Sequence, residues 1–421
     1  MSLCTTVQKN PGKRRKVRIS ALVLTFLLGL IGFSSLSRIL TVNLLRLPIY
    51  FPEPFFTALF LMVYFGASRQ FRPRQTPKLI IIVVSFLFVW LFLVMLAINE
   101  STFYEIISTA RPYLYAFLAA VLAGCLRGQN EEYVFVFLVG IAVGEMIGMK
   151  LVPVFDANYR GISSVNLIAV YALASLAVLS QRTQWIVLAL LLLVPMVLMS
   201  GFRAAVAVFL LSLLTAYAIR AIGSIRTNVI KTIVMLVKFA GVIGSVIFLG
   251  YFFVTHIYDL HPFAYFRVVN RSLGLLTGDL SVSQDEERIA KLIYYITQEP
   301  GGILPTGFVM RGRDAVGNFN DVPFLNFTVT FGVPLGLAII IVILTVGLVY
   351  AAKIIMAFNS SPIDLTAAAF FPCLVFLLLI NGRFAYILYE SVLWGGFVGY
   401  WFWSFGYRKQ KNKRGLTFHE H

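Results

Sequence analysis

The sequence predicts an all-α polytopic membrane protein, and three observations carry that expectation. Hydrophobic residues make up 59% of the 421 positions and charged residues only 13%, with a mean hydropathy of +0.86, far above the apolar share of a water-soluble domain. Apolar runs of about 20 residues, each long enough to cross a hydrocarbon core of roughly 30 Å as a helix, recur from Ile19 to Phe405. Basic residues gather in alternate connections between those runs, as the positive-inside rule requires of a multi-spanning chain.

Residues 1–18 contain KNPGKRRKVR and read as a basic cytoplasmic tail. The apolar run behind it lacks a small-residue cleavage site, so it is expected to be a retained first span and not a leader. About twelve spans follow from the hydrophobic pattern, at 19–37, 53–67, 78–97, 106–126, 132–150, 163–181, 184–200, 203–219, 234–255, 324–350, 363–380 and 386–405. Nine occupy residues 19–255 and three occupy 324–405. Between them lies one long connection, 256–323, and behind them a second basic tail, 406–421.

With the N-terminus inside, 21 of the 35 Lys and Arg fall in cytoplasmic segments, whereas the short outer loops hold six. Both termini are therefore expected in the cytoplasm and the long loop on the far side of the membrane. The net charge of +17 is explained by this placement, so no nucleic-acid partner is implied. No internal repeat is visible, in contrast to the paired halves of many transporters. Cys4, Cys125 and Cys373 lie in the inner tail or within spans and imply no disulfide framework. The four His residues are scattered, so neither a metal site nor a cofactor is expected; His256 and His261 read as an interfacial pair.

The long loop carries its own helix signals over about 284–298. Ser283 and Glu286 make a capping box, Asp285 to Glu287 suit the positive end of the helix dipole, and Pro300-Gly301-Gly302 ends the run. Ile289, Leu292, Ile293 and Ile296 share one face, which suits a helix lying on the membrane or on the tops of the spans. Arg288 stands near its start, and GFVMRGRDAVGNFNDVPF downstream has the composition of a loop folding over a cavity.

Several charged residues stand where chemistry is expected. Arg160 in ANYRGISSVN, Arg203 in MSGFRAAVAV, Arg288 and Arg383 in INGRFAYIL fall at outer helix ends, and Arg111 in STARPYLYAF lies just inside the fourth span. A guanidinium presents a planar fork of donors suited to phosphate oxygens, so these five, if convergent, form a diphosphate site; the competing reading has each anchoring a helix end. Glu145 in AVGEMIGM is an acid within the fifth span and needs a partner there, which Arg111 or Arg160 can supply; it is a candidate for structural pairing and for catalysis alike. Asp321 in FNDVPFLNFTVTFG stands where the long loop re-enters the membrane, either as a general base or as a helix N-cap.

Together these segments resemble the polysaccharide polymerase and O-antigen ligase superfamily, the Wzy and WaaL proteins. MSGFRAAVAVFLLS is similar to that family's Ser-x-Thr/Ser-Arg stretch through Ser200 and Arg203, with Phe202 in place of the hydroxyl residue. YRGISSVNLIAVYALA carries Arg160, Gly161 and Asn166 in the family's order; the loop segment matches through Arg288, Pro300 and Gly307, and the re-entry segment through Gly332 and Gly336. The resemblance covers about residues 160–340. At Asp321 this chain departs from the His-Asn of the ligases, which favours the polymerases.

The resemblance implies a GT-C-like glycosyltransferase of the bacterial inner membrane, with the long loop periplasmic. Its substrates would be oligosaccharide repeat units on undecaprenyl diphosphate, and its product an O-antigen-type polysaccharide for lipopolysaccharide. Asp321 would serve as base with Glu145 as second candidate, and Arg288 would close over the diphosphate. Membrane lipid and a chain-length regulator would be its partners. A ligase acting on lipid A-core and a flippase or other transporter of lipid-linked sugars are the alternatives.

Overall fold

The computed structural model describes residues 19–40, 57, 85–87, 89–93, 103–123, 130–155, 165–200, 203–225, 229–260, 323–357, 360–379 and 388–416. Every regular element among them is helical: α1 (Ile19–Leu27), a π-helical turn (Leu28–Gly32), α2 (Ser35–Arg38), α3 (Phe103–Leu122), α4 (Glu131–Phe155), α5 (Leu167–Leu179), α6 (Thr183–Met199), α7 (Arg203–Ile225), α8 (Val229–Leu260), α9 (Pro323–Phe331), α10 (Val333–Met356), α11 (Pro362–Leu379) and α12 (Leu388–Leu416). Four helical stretches are long and apolar enough to cross a membrane, namely Glu131–Met149, Ala204–Gly223, Val333–Met356 and Pro362–Leu379. With shorter apolar helices at Ile19–Gly32, Ala110–Leu122, Leu167–Leu179, Thr183–Met199 and Leu236–Leu249, they make this an all-α chain built for a membrane.

A radial order organises the helices. α5 is apolar around its whole circumference and all thirteen of its residues are buried, as a helix surrounded by others must be. It packs against α4, α6, α7, α11 and α12. α8 is the opposite case: Ile230, Val237, Phe248 and Tyr251 are about seven-tenths exposed along its outer face, apolar surface that suits lipid contact.

Small residues bring the other helices close. In α4, Gly140, Gly144 and Gly148 recur every four residues and form one stripe against the first span. A Cβ on Gly140 would collide with the Phe26 carbonyl, one on Gly144 with the Ser34 hydroxyl, and one on Gly148 with the Ser35 hydroxyl. α12 meets α3 in the same way, Gly395 lying on the Ala116 backbone and Gly399 on that of Ala120. Both partners advance by four residues, so α3 and α12 run parallel. In lipid, where apolar surfaces gain little by mutual burial, such backbone approach is a main source of helix association.

Two elements differ from the hydrophobic pattern. The expected first span, 19–37, is interrupted: α1 widens into the π-helical turn, the chain bends at Phe33 and Ser34, and a short second helix begins. The expected span 324–350 is two helices folded on each other at Gly332, whose φ of 79° and ψ of 153° favour a residue without a side chain. A Cβ on Gly336 would lie 2.8 Å from the Thr328 Cα, whereas eight residues of straight helix would separate them by about 12 Å. A hydropathy window sees only continuous apolar character and passes over a one-residue fold-back.

Candidate functional site

Polar side chains inside this apolar assembly collect at two ends of α5, and the two ends differ in kind. At the C-terminal end, charges are paired. Arg182, which precedes α6, donates to Glu131 at 2.8 Å and to Glu132 at 2.9 Å, and its guanidinium lies 4.4 Å over the Trp185 ring. Arg220 donates to the Val178 carbonyl at 3.1 Å, satisfying an acceptor in the last turn of α5. Asp364 accepts from the Tyr400 hydroxyl at 2.8 Å, the Tyr350 hydroxyl at 3.2 Å and the Ser361 hydroxyl at 2.8 Å.

At the N-terminal end of α5, polar groups are buried together. Asn166 caps the helix, its side-chain oxygen accepting from the Ala169 amide at 3.0 Å. Glu390, in the first turn of α12, accepts from the Leu167 amide at 3.2 Å. Glu145 of α4 faces Ser35, Asn166 and Glu390, so the bend after the first span and the starts of α5 and α12 meet at one place. Glu145 and Glu390 are each 1% exposed. Among the described residues, both carboxyl oxygens of Glu145, the Ser35 hydroxyl and the Asn166 side-chain nitrogen have no hydrogen-bond partner. Ten residues, about 15 Å of helix, separate Glu390 from Tyr400, which sets the distance between the open and the satisfied ends.

The fold-back at Gly332 borders the same open end. Phe327 of α9 lies 5.8 Å from the Tyr113 ring and 6.0 Å from the Trp394 ring, centroid to centroid, and Trp394 is one turn beyond Glu390. Arg111 stands two residues before Tyr113; the parallel register of α3 and α12, with Ala116 beside Gly395, places it at the height of Glu390. It is partly buried.

Of the residues singled out in the sequence, the structure therefore brings Glu145 and Arg111 to one end of the helix assembly. Among the described residues, Ser35, Asn166 and a second acid, Glu390, face Glu145; of the two arginines expected as its partner, Arg160 lies outside the described residues. Arg203 is the first residue of α7. Asp321, Arg160, Arg288 and Arg383, with the loop helix at about 284–298, lie outside the described residues. Lys238 is exposed on α8, and His256 on the same helix bonds through Nδ1 to the Phe252 carbonyl at 2.8 Å. No three His, Cys, Asp or Glu residues come together as a metal-binding group among the described residues.

Glu390 and Ser35 were not legible as site residues. The signal for Glu390 was available, an acid in the first turn of an apolar helix, but acids there also serve the helix dipole. Ser35 gave no signal, because its importance comes from the bend that turns it toward α4. Chemically, the carboxyls can accept a hydroxyl proton or hydrogen bond, and the asparagine amide can donate to an oxygen. No protein-family model, no curated protein and no solved structure matches the chain.

Proposed function

We propose that this protein is a membrane-embedded glycosyltransferase of the polysaccharide polymerase type. In this reading it moves a growing glycan from undecaprenyl diphosphate to a hydroxyl of the incoming lipid-linked repeat unit, at the outer leaflet of the bacterial inner membrane. The observation that supports the reading is the asymmetry of the helix assembly: Arg182 paired with Glu131 and Glu132 at one end of α5, and two buried acids, Glu145 and Glu390, gathered with Ser35 and Asn166 at the other. In the topology expected from the basic residues, that second end faces outward.

A lipid diphosphate is already a good leaving group, and what it needs from the protein is stabilisation of the charge that develops on it. Guanidinium groups do this by direct hydrogen bonding in a water-poor site. Arg111, Arg160, Arg203, Arg288 and Arg383 are the proposed grip, with Arg288 brought in by the long loop as a closing cover. Asp321 is the proposed base for the attacking hydroxyl and Glu145 the second candidate.

One observation favours a second reading. Two acids buried in an apolar helix assembly also suit ion-coupled transport of a lipid-linked sugar. Purified protein incubated with a defined undecaprenyl-diphosphate repeat unit separates the two. A ladder of products from that substrate alone is expected of the polymerase, and R288A is expected to abolish or shorten it. Product that forms only when lipid A-core is added would identify a ligase. No product with the cognate sugar would overturn the enzyme reading in favour of transport.

A further inference from the structure

On the outer face of α8, one line of positions differs from the apolar surface around it. Residues 238, 241, 245, 248 and 252 follow one another at steps of three and four, so they run along a single side of the helix, and all five are exposed. Lys238 begins the line; among the described residues it makes neither an ion pair nor a hydrogen bond. Nothing lies within 4 Å of a Cβ added to Gly241, the next position, or to Gly244 beside it. The Ser245 hydroxyl turns back to donate to the Gly241 carbonyl at 2.8 Å, which leaves an apolar floor. Phe248 and Phe252 stand beyond it, both exposed. The line is a shallow groove with a cation at one end and aromatic rings at the other.

The packing of α8 sets the depth of that cation. Phe239 lies 4.7 Å from the Tyr217 ring, centroid to centroid, so Lys238 stands at the height of Tyr217 on α7. One turn nearer the end of α7, Arg220 takes the Val178 carbonyl in the last turn of α5, which puts Lys238 about 5 Å inside that level. Side chains on a helix lean toward its N-terminus, here the same end, and a lysine stem covers that distance over apolar surface. One leaflet is about 15 Å of hydrocarbon, or ten residues of helix, the separation of Lys238 from Phe248. We propose that this groove holds an anionic phospholipid, its phosphate on Lys238 and one acyl chain over Gly241 and Ser245 as far as Phe248. A second copy seated along the same line in the same membrane orientation would set two lysines against each other, and α8 has no acid before Asp259 to offset them. In the topology expected from the basic residues, the lipid belongs to the cytoplasmic leaflet.

Quenching of a fluorophore on α8 tests the site in the full chain in lipid nanodiscs, without any substrate and whichever way the chain faces, so its outcome is independent of the glycosyltransferase reading. With Cys4, Cys125 and Cys373 replaced by serine, Val237→Cys carries the fluorophore beside the groove. Brominated phosphatidylglycerol is expected to compete for this position about fivefold better than brominated phosphatidylcholine, the worth of one basic residue near an anionic lipid surface. K238Q should abolish the preference and K238R should keep it. G241L fills the floor of the groove and leaves the cation in place; nothing packs on that position, so the fold should tolerate it while the preference falls. Glycerol phosphate, a phosphate ester without acyl chains, should not relieve the quenching. Equal quenching by the two lipids overturns the proposal, as does a preference that K238Q or G241L leaves unchanged. Relief by glycerol phosphate would reduce the site to a phosphate contact and overturn it as well.

Discussion

Single atoms decide how the first span sits on α4. The Phe26 carbonyl and the Leu30 amide occupy the space where a side chain at Gly140 would begin. Gly140→Ala should therefore force the helices apart and cost about 1–3 kcal/mol, the usual range for overpacking. Gly241→Ala is the matched control, since nothing lies within 4 Å of the added carbon on α8; it should leave stability unchanged or raise it by up to about 1 kcal/mol through helix propensity. Thermal unfolding of the two variants in the same detergent checks the difference, and equal midpoints would show that the glycine stripe does not hold the contact. The stripe was present in the sequence as Gly140, Gly144 and Gly148, but its meaning depended on which helix it met. The same limit applies to the site. An acid within an apolar run marks Glu145 at once, whereas its neighbour Glu390 lies at the far end of the chain, and only the folded arrangement of α4, α5 and α12 brings the two together.

Among the elements, the fold-back between α9 and α10 is the one that continuous hydrophobicity conceals. Residues 324–350 carry no charge and are mostly apolar, so the pattern reads as one span, although Gly332 and Pro334 mark a place where a straight helix is disfavoured. Gly332→Ala keeps the hydropathy and attacks the turn alone. At φ 79° and ψ 153° an alanine should cost about 1–3 kcal/mol. The expected result is faster limited proteolysis between residues 323 and 356, together with a lower unfolding midpoint. Because Phe327 rests on Tyr113 and Trp394, opening the turn should also change the tryptophan fluorescence. A straight continuous helix would tolerate alanine without penalty, so an unchanged variant would rule out the fold-back.

At the scale of the whole molecule, the functional reading depends on which way the assembly faces. Helix existence was legible because a hydrocarbon solvent demands long apolar segments whose backbone groups bond internally. Orientation was an expectation from the count of basic residues alone, and the structure adds a physical distinction that makes orientation matter: one end pairs Arg182 with Glu131 and Glu132, and the other buries Glu145 and Glu390. Gln181 and Ser361 are exposed at the paired end, by Arg182 and Asp364. His256 is exposed near the other end of α8, whose Phe239 packs on Tyr217 seventeen residues earlier, about 25 Å of helix away. With Cys4, Cys125 and Cys373 replaced by serine, Gln181→Cys and Ser361→Cys should resist a membrane-impermeant thiol reagent added outside intact spheroplasts and react with it in inverted vesicles. His256→Cys should show the reverse. If the pattern is inverted, the end that holds Glu145 and Glu390 faces the cytoplasm, and a lipid-linked glycan presented at the outer leaflet cannot reach these acids from that side. The polymerase assignment would then fail on geometry alone, before any assay of sugar transfer.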